Sequence, residues 1–160
     1  MNQTHVFCDN IENLTLNNTD YRNVLFTSPS KKTQLVVMSL QAKEEIGMER
    51  HETADQFIRV EKGNGIAVIG NEYSPIKPIS TNQTIYKLVD GSAIVIPANT
   101  WHNIINSSDT QLLKLYTLYS PPQHEDKLVQ KNKPQQDGGS KLYKKYMKYK
   151  LKYLSLKNNK

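Results

Sequence analysis

Cysteine is almost absent from this chain, in which Cys8 is the only one among 160 residues. No disulfide can therefore form within the chain, and a reducing, intracellular compartment is expected. Long apolar runs are absent too, and the N-terminal MNQTHVFCDN lacks both the basic start and the hydrophobic stretch of a secretory signal. These absences predict a protein that is neither secreted nor transmembrane, with a cytoplasmic location.

Acidic residues are missing from the C-terminal segment, where eight lysines occur from Lys141 onward. Of the 21 Lys and Arg residues, 13 remain to face all 15 acidic residues, so residues 1–140 carry a formal charge of about −2. The net charge of +6 therefore belongs to the C-terminal segment. The rest of the chain has no nucleic-acid-binding signature.

Helical periodicity of useful length is also lacking between Val24 and Ser120. That region contains short runs rich in β-branched and aromatic residues, separated by turn signals. The runs cover residues 35–40, 56–60, 66–70, 85–89, 93–97 and 112–119. KGNG at 62–65 predicts a tight hairpin, and VDG at 89–91 predicts a second turn. Many short strands at near-regular spacing predict an all-β sandwich or barrel.

Composition divides the chain into four parts. Residues 1–22 are polar and Asn-rich and predict an irregular arm or an edge strand, while residues 23–125 form the predicted barrel. Residues 126–140 contain KNKPQQDGGS and predict a flexible linker. In residues 141–160, Leu and Tyr recur at steps of three and four, which predicts an amphipathic α-helix with lysines on its other face.

Four side chains in the barrel region are candidate metal ligands: Glu49, His51, Gln56 and His102. Glu49 and His51 project to the same side if they lie in a strand, because alternate residues share a face. Gln56 opens the next strand, and His102 follows the connection after the strand that ends at Pro97. A barrel can bring side chains from such separate strands to one interior point, as a metal site requires.

The same residues resemble the two motifs of the cupin superfamily. The second motif runs Gly, five residues, Pro-x-Gly, two residues, His, three residues, Asn, and it is matched in register by Gly91, Pro97, His102 and Asn106. Asn99 takes the place of the usual glycine, and Asn tolerates the left-handed conformation. The first motif is a partial match, in which Glu49 and His51 occupy the two histidine positions, Gln56 occupies the glutamate position and Gly63 matches. The resemblance implies a jelly-roll barrel.

The resemblance also implies a ligand set of three histidines and one glutamate, which the sequence replaces by two histidines, one carboxylate and a neutral oxygen donor. Such a set suits Fe(II), with Mn, Ni or Zn as alternatives. Cupin-like barrels without a metal are known, and Gln56 can instead hydrogen-bond His51. Asp55 is an alternative acidic partner, although strand alternation aims it the opposite way.

The activity that the resemblance implies is that of an isomerase, a dioxygenase or a sugar-modifying enzyme acting on a small polar molecule. A non-catalytic barrel that binds a sugar-like ligand, or a structural or packaging protein, is the alternative. Trp101 and Tyr116 are candidate ligand-binding residues, and packing in the barrel is their other interpretation. His5 and His124 are expected at the surface, with a lid as a further role for His124. Pairing of barrels into a homodimer is also expected.

The C-terminal helix offers Tyr146, Tyr149 and Tyr153 as candidate interaction residues. It can bind nucleic acid or an anionic surface through its lysines, or dock on a protein through its apolar stripe. A solvated helix without a partner is the third interpretation. The run KLYKKYMKYKLKYLSLK resembles a Tyr/Lys-rich C-terminal segment on proteins of large cytoplasmic DNA viruses, which implies an address or assembly role in a virus factory or virion.

Overall fold

The computed structural model describes residues 5–70 and 83–134 of the chain. In these residues one helix and nine strands follow one another along the sequence. They are α1 (Ile11–Asn17), β1 (Arg22–Thr27), β2 (Gln34–Leu40), β3 (Asp55–Lys62), β4 (Gly65–Gly70), β5 (Thr84–Leu88), β6 (Ala93–Ile96), β7 (Trp101–Asn106), β8 (Leu113–Ser120) and β9 (Val129–Gln130). The predicted all-β fold is therefore confirmed, and all six predicted runs are strands.

The strands form two antiparallel sheets. The larger has six strands in the order β6-β3-β8-β2-β1-β9, and the smaller has three in the order β5-β4-β7. Strand β8 lies between β2 and β3 and pairs with both along most of its length. The non-sequential neighbours show that the chain passes back and forth between the sheets, as expected for a jelly roll.

The hydrophobic core draws on strands of both sheets. It includes Val36, Ile58 and Leu115 from the larger sheet and Ala67 and Ile104 from the smaller one, each with an exposed fraction of 0%. In β3, buried and partly buried residues alternate from Gln56 to Val60, as period-two alternation predicts for a strand with one face on the core. The buried faces are the ones that carry side chains toward the interior.

Both predicted turns are present. Gly63, between β3 and β4, has φ of 97°, and Gly91, before β6, has φ of 80°. A side chain at position 63 would also collide with the Leu112 carbonyl oxygen, since an added Cβ would lie 2.4 Å from it. Position 63 therefore needs glycine because of its positive φ and because the Leu112 carbonyl leaves no room for a side chain. Position 91 needs glycine because of its positive φ alone.

The N-terminal segment differs from the irregular arm or edge strand that we expected. Residues 11–17 form α1, whose N-cap Asn10 accepts a hydrogen bond from the Asn13 amide at 2.9 Å. Thr15, in the middle of the helix, is completely buried. Seven residues are too few to display helical periodicity in the sequence, so the Asn10 cap was the available signal.

The end of the barrel also extends beyond the predicted boundary at residue 125. Strand β9 adds an edge to the larger sheet by pairing Val129 with Asn23 and Gln130 with Arg22. Residues 135–140 of the predicted linker, and the predicted C-terminal helix with Tyr146, Tyr149 and Tyr153, lie outside the described residues. In the described part of the chain, no helix combines the length and the apolarity needed to cross a bilayer.

Candidate metal centre

Three of the four candidate ligands converge at one point. Glu49 and His51 lie in the connection between β2 and β3, and His102, which was expected to follow the connection after β6, is the second residue of β7. Two backbone hydrogen bonds join the segments: the Glu49 amide donates to the His102 carbonyl and the His102 amide to the Glu49 carbonyl, both at 2.9 Å. This antiparallel bridge fixes the two side chains against each other.

The connection that carries Glu49 and His51 is held to the second cupin-like motif by further contacts. The Gly47 amide donates to Asn103 Oδ1 at 2.9 Å, and the Asn99 amide donates to the His51 carbonyl at 2.7 Å. Asn99 has φ of 63°, which confirms that this residue takes the left-handed conformation expected at the glycine position. The site is therefore built on a fixed backbone frame.

The distances between the ligand atoms suit a metal ion. Glu49 Oε1 lies 3.4 Å from His51 Nε2 and 3.5 Å from His102 Nε2, and the ligand atoms of the three residues all lie within 4.8 Å of one another. These separations are longer than a good hydrogen bond. Bonds of about 2.1 Å to a tetrahedrally coordinated ion would separate neighbouring ligand atoms by roughly 3.4 Å.

The same three atoms have no hydrogen-bond partner although they are buried. Glu49 Oε1, His51 Nε2 and His102 Nε2 are each buried and unpaired. His102 Nδ1 lies 2.8 Å from the Thr100 carbonyl oxygen, which can only accept, so Nδ1 carries the proton and Nε2 presents its lone pair to Glu49. Two electron-rich atoms facing each other in a buried site need a proton or a cation between them.

Glu49 is the charged member of this group. Burial alone would raise the pKa of its carboxyl, but a proton on the facing nitrogens of His102 and His51, which makes them hydrogen-bond donors and cations, outweighs that effect and lowers the pKa to about 2. Glu49 is therefore ionised at pH 7. An anionic oxygen beside two imidazole nitrogens is a ligand set for a divalent transition metal.

Gln56, the fourth candidate ligand, makes contacts of its own. Its amide nitrogen donates to Thr117 Oγ1 and to the Tyr119 hydroxyl, both at 3.1 Å, while its Oε1 is buried without a partner. The side chain is 1% exposed. Both partners are hydroxyls, and in this orientation the amide leaves its oxygen unpaired, so a neutral oxygen donor is available at the position of the family's glutamate.

Asp55, the alternative acidic partner, has a different role. Its carboxylate accepts a hydrogen bond from the Ala98 amide at 2.8 Å, on the exposed side of β3. It thereby joins β3 to the turn that leads into β7. The alternation that aimed it away from Gln56 is confirmed.

The two predicted ligand-binding aromatic residues have other neighbours. Tyr116 packs against Phe57 with ring centroids 6.0 Å apart, and both belong to the partly buried positions that alternate with the core positions of their strands. The Trp101 ring lies under the Arg50 guanidinium at 5.2 Å. A role for either residue in ligand binding stays a prediction.

Two aromatic side chains that the sequence analysis did not place at the site adjoin it. The buried Tyr119 ring stands edge-on to His51 at 5.3 Å and to His124 at 5.1 Å. His124 was expected at the surface, but its Nε2 is buried and has no hydrogen-bond partner. Tyr119 could have been placed at the site from the sequence, because it lies two residues after Thr117 in β8 and so shares its face. His124 could not, because it follows a loop whose position depends on contacts with distant residues.

An open groove of about 560 Å³ lies elsewhere on the barrel, along β5 and β6. Its lining includes Tyr86, Val95 and Pro97 and none of the residues of the candidate metal centre. The convergence of unpaired polar atoms therefore identifies the functional site better than the size of this groove does.

Comparison with known proteins agrees with the fold and with the motifs. The Cupin_2 family, described as the cupin domain, matches residues 36–119. Protein L612 of Acanthamoeba polyphaga mimivirus is 46% identical over 162 residues, which cover 99% of this chain and 94% of L612. The chain belongs to the cupin family. L612 is a viral protein, which agrees with the viral resemblance of the C-terminal segment.

Two bacterial proteins are also similar. YrkC of Bacillus subtilis is 42% identical over 118 residues, which cover 74% of this chain and only 59% of YrkC. The crystal structure of BH2720 from Bacillus halodurans shares 37% sequence identity with a TM-score of 0.71, covering 82% of this chain and 93% of that one. The cupin fold predicted from the two motifs is therefore confirmed.

Proposed function

We propose that this protein is a metal-dependent cupin that binds a small polar molecule beside a divalent ion held by Glu49, His51, Gln56 and His102. The observation that carries the proposal is the set of buried, unpaired ligand atoms, since an unpaired polar atom in a protein interior is costly. Four such atoms at the ligand positions of the two cupin motifs are better explained by a shared ion than by four separate defects.

The donor set favours iron, manganese, nickel or zinc. Such an ion, when bound, supplies Lewis-acid polarisation of a substrate oxygen. Glu49 provides the charged ligand and His51 and His102 the neutral ones, while the Thr100 carbonyl keeps His102 in the ligating tautomer. Tyr119 orients Gln56 and covers one edge of His51, which limits the access of water to the ligands.

Isomerase, dioxygenase and sugar-modifying activities are all consistent with this arrangement, because a fold does not determine a reaction. Catalysis would distinguish them from the non-catalytic alternative, in which the barrel only binds a sugar-like ligand. A substrate screen on metal-loaded protein separates the two classes, because only an enzyme turns a substrate over. The His102→Ala variant should then lose that turnover while it keeps its fold.

The metal itself is tested by isothermal titration of the chelator-treated full-length protein with Zn²⁺, Mn²⁺, Ni²⁺ and, without oxygen, Fe²⁺. Glu49→Gln keeps the side-chain shape but removes the charge, so it should weaken binding at least roughly tenfold. Glu52→Gln is the matched control, because the Glu52 side chain is 81% exposed. The proposal fails if wild type binds none of these ions, or if both variants bind them as wild type does.

The proposal extends to the assembly and location of the protein. We expect a homodimer, for which light scattering should give twice the mass of one chain, and a monomer at micromolar concentration would contradict it. We expect the C-terminal helix to contact a protein, a nucleic acid or an anionic surface, and to act in the cytoplasm or in a virus factory or virion. Deletion of residues 141–160 should abolish that contact and spare metal binding.

A further inference from the structure

Arg22 is a buried cation without a carboxylate partner. It is the first residue of β1 and is 9% exposed. Within residues 5–70 and 83–134, no Asp or Glu oxygen lies within 4.0 Å of its guanidinium, although the more exposed Arg59 pairs with Glu61 at 3.1 Å. Withdrawing a guanidinium from water is costly unless an anion or several acceptors replace the water.

The contacts that Arg22 makes satisfy only part of its guanidinium. One terminal nitrogen donates to Gln130 Oε1 at 2.8 Å, and the group lies over the Tyr21 ring at 5.3 Å. Its Nε is buried and has no hydrogen-bond partner. Nε and an adjacent terminal nitrogen are the two donors with which arginine binds a carboxylate side-on.

A second unpaired polar atom belongs to the same part of the barrel. His124 Nε2 is buried without a partner, and the His124 ring stands against Tyr119, which in turn stands against His51. Burial and the nearby positive charge of Arg22 lower the pKa of His124 to about 4, so the ring is neutral at pH 7. Arg22 is then the cation that acts on this neutral ring.

The position of His124 is fixed by the protein. Gln34 is completely buried, and its Oε1 accepts from the amides of Gln123 at 3.2 Å and His124 at 3.0 Å. Its amide nitrogen donates to the His124 carbonyl at 2.8 Å. This buried side chain fixes the backbone from which the His124 ring projects before any ligand arrives, and the contact with Tyr119 positions the ring itself.

We propose that Arg22 and His124 form a carboxylate subsite beside the Glu49–His51–His102 triad, so that the ligand of this cupin is a small molecule bearing a carboxylate. The inference rests on the proposed function, because the remainder of that ligand would face the metal ligands. Glu49 and Arg22 cancel in formal charge, and a divalent ion then leaves the pocket with two positive charges. Such a pocket selects an anionic ligand over a neutral one of the same shape.

The test uses the full-length protein and two probes of equal shape, propionate and propionamide. The chain has three arginines, so the arginine Nε–Hε region of a proton–nitrogen spectrum shows few signals, and Arg22→Gln identifies that of Arg22. In metal-free and in Zn²⁺-loaded wild type, propionate should shift the Arg22 signal saturably, and propionamide should bind at least about tenfold more weakly. Once the signal is assigned, the two probes are compared on wild-type protein alone.

The variants then separate the subsite from general effects. Propionate binding to the variants is read from the His124 ring signals. Arg22→Gln should weaken the binding about tenfold or more. Arg22→Lys should retain part of the wild-type affinity, and the control Arg59→Gln should retain all of it. Equal binding of the two probes, or equal losses in Arg22→Gln and Arg59→Gln, would overturn the subsite even if Zn²⁺ binds. Arg22-dependent propionate binding in a protein that takes up no metal would support the subsite and overturn the proposed function.

Discussion

Replacing Asn106 by alanine should lower the free energy of unfolding by about 2–4 kcal/mol, because this side chain joins separate backbone segments inside the barrel. Asn106 is completely buried, and its Nδ2 donates to the carbonyls of Leu40 at 3.1 Å, Gln41 at 2.9 Å and Gln111 at 2.7 Å. Its Oδ1 accepts from the Ser108 amide at 3.0 Å.

The magnitude follows from these contacts. The two hydrogens of Nδ2, one of them shared between two carbonyls, and the Oδ1 acceptor together make three bonds. A neutral buried hydrogen bond contributes about 1–1.5 kcal/mol net, so their loss gives an upper value of roughly 4 kcal/mol. A water molecule that enters the space left by the amide would recover part of this, which sets the lower value of about 2 kcal/mol. Because Leu40 and Gln41 begin the connection that carries Glu49 and His51, the same change should also weaken metal binding.

The assay is urea denaturation followed by circular dichroism, in the presence of a chelator. With a slope of about 2 kcal/mol per molar urea, the midpoint should fall by roughly 1–2 M. Asn99→Gly is the control, since Asn99 is exposed at φ of 63°, and its stability should stay within about 1 kcal/mol of wild type. A stability of Asn106→Ala within about 0.5 kcal/mol of wild type would refute the reasoning.

Two further predictions concern acid stability and the turns. The pKa of His124 is lowered to about 4 in the folded protein, whereas the unfolded chain binds a proton at this residue below about pH 6.5. The free energy of unfolding therefore falls as the pH drops from about 6.5 to about 4. Because the ring is only partly buried, we expect this to cost roughly 1 kcal/mol between pH 7.5 and 5.5 in metal-free protein. His124→Gln should remove that slope from urea titrations, and an unchanged slope would contradict the assignment. Gly63→Ala should cost about 2–4 kcal/mol, since it combines positive φ with a collision at 2.4 Å, whereas Gly91→Ala should cost about 1 kcal/mol because nothing lies within 4 Å. Equal thermal melting points of these two variants would show that the collision is relieved without cost.

The strands and the motif positions could be predicted from the sequence because they depend on local signals. Alternating β-branched runs fixed six strands, and glycines fixed the turns at 63 and 91. The motif spacing of Gly91, Pro97, His102 and Asn106 predicted that His102 lies at the same site as Glu49 and His51. Alternation also explains why Tyr119 rather than Tyr116 adjoins the triad, since Tyr119 shares the buried face of β8 with Thr117.

The rest could not be predicted because it depends on contacts between distant residues. Strand β7 reads WHNIIN, and its polar members are buried only because Asn103 and Asn106 bond to the backbone of the connection between β2 and β3 and of the turn before β8. His124 is held by Gln34, ninety positions earlier in the chain. Arg22 becomes a buried cation only once β9 closes beside it. No local pattern reports such pairings.

Elemental analysis of the purified full-length protein tests whether Glu49, His51, Gln56 and His102 hold a metal ion. It should be made beside a His51→Ala/His102→Ala double variant and beside His5→Ala, which removes an exposed histidine outside the site. We predict near-stoichiometric iron, manganese, nickel or zinc in wild type and in His5→Ala. The double variant should have lost this metal. A wild-type protein that stays metal-free after incubation with each ion, or a double variant that retains the same metal, would contradict the prediction.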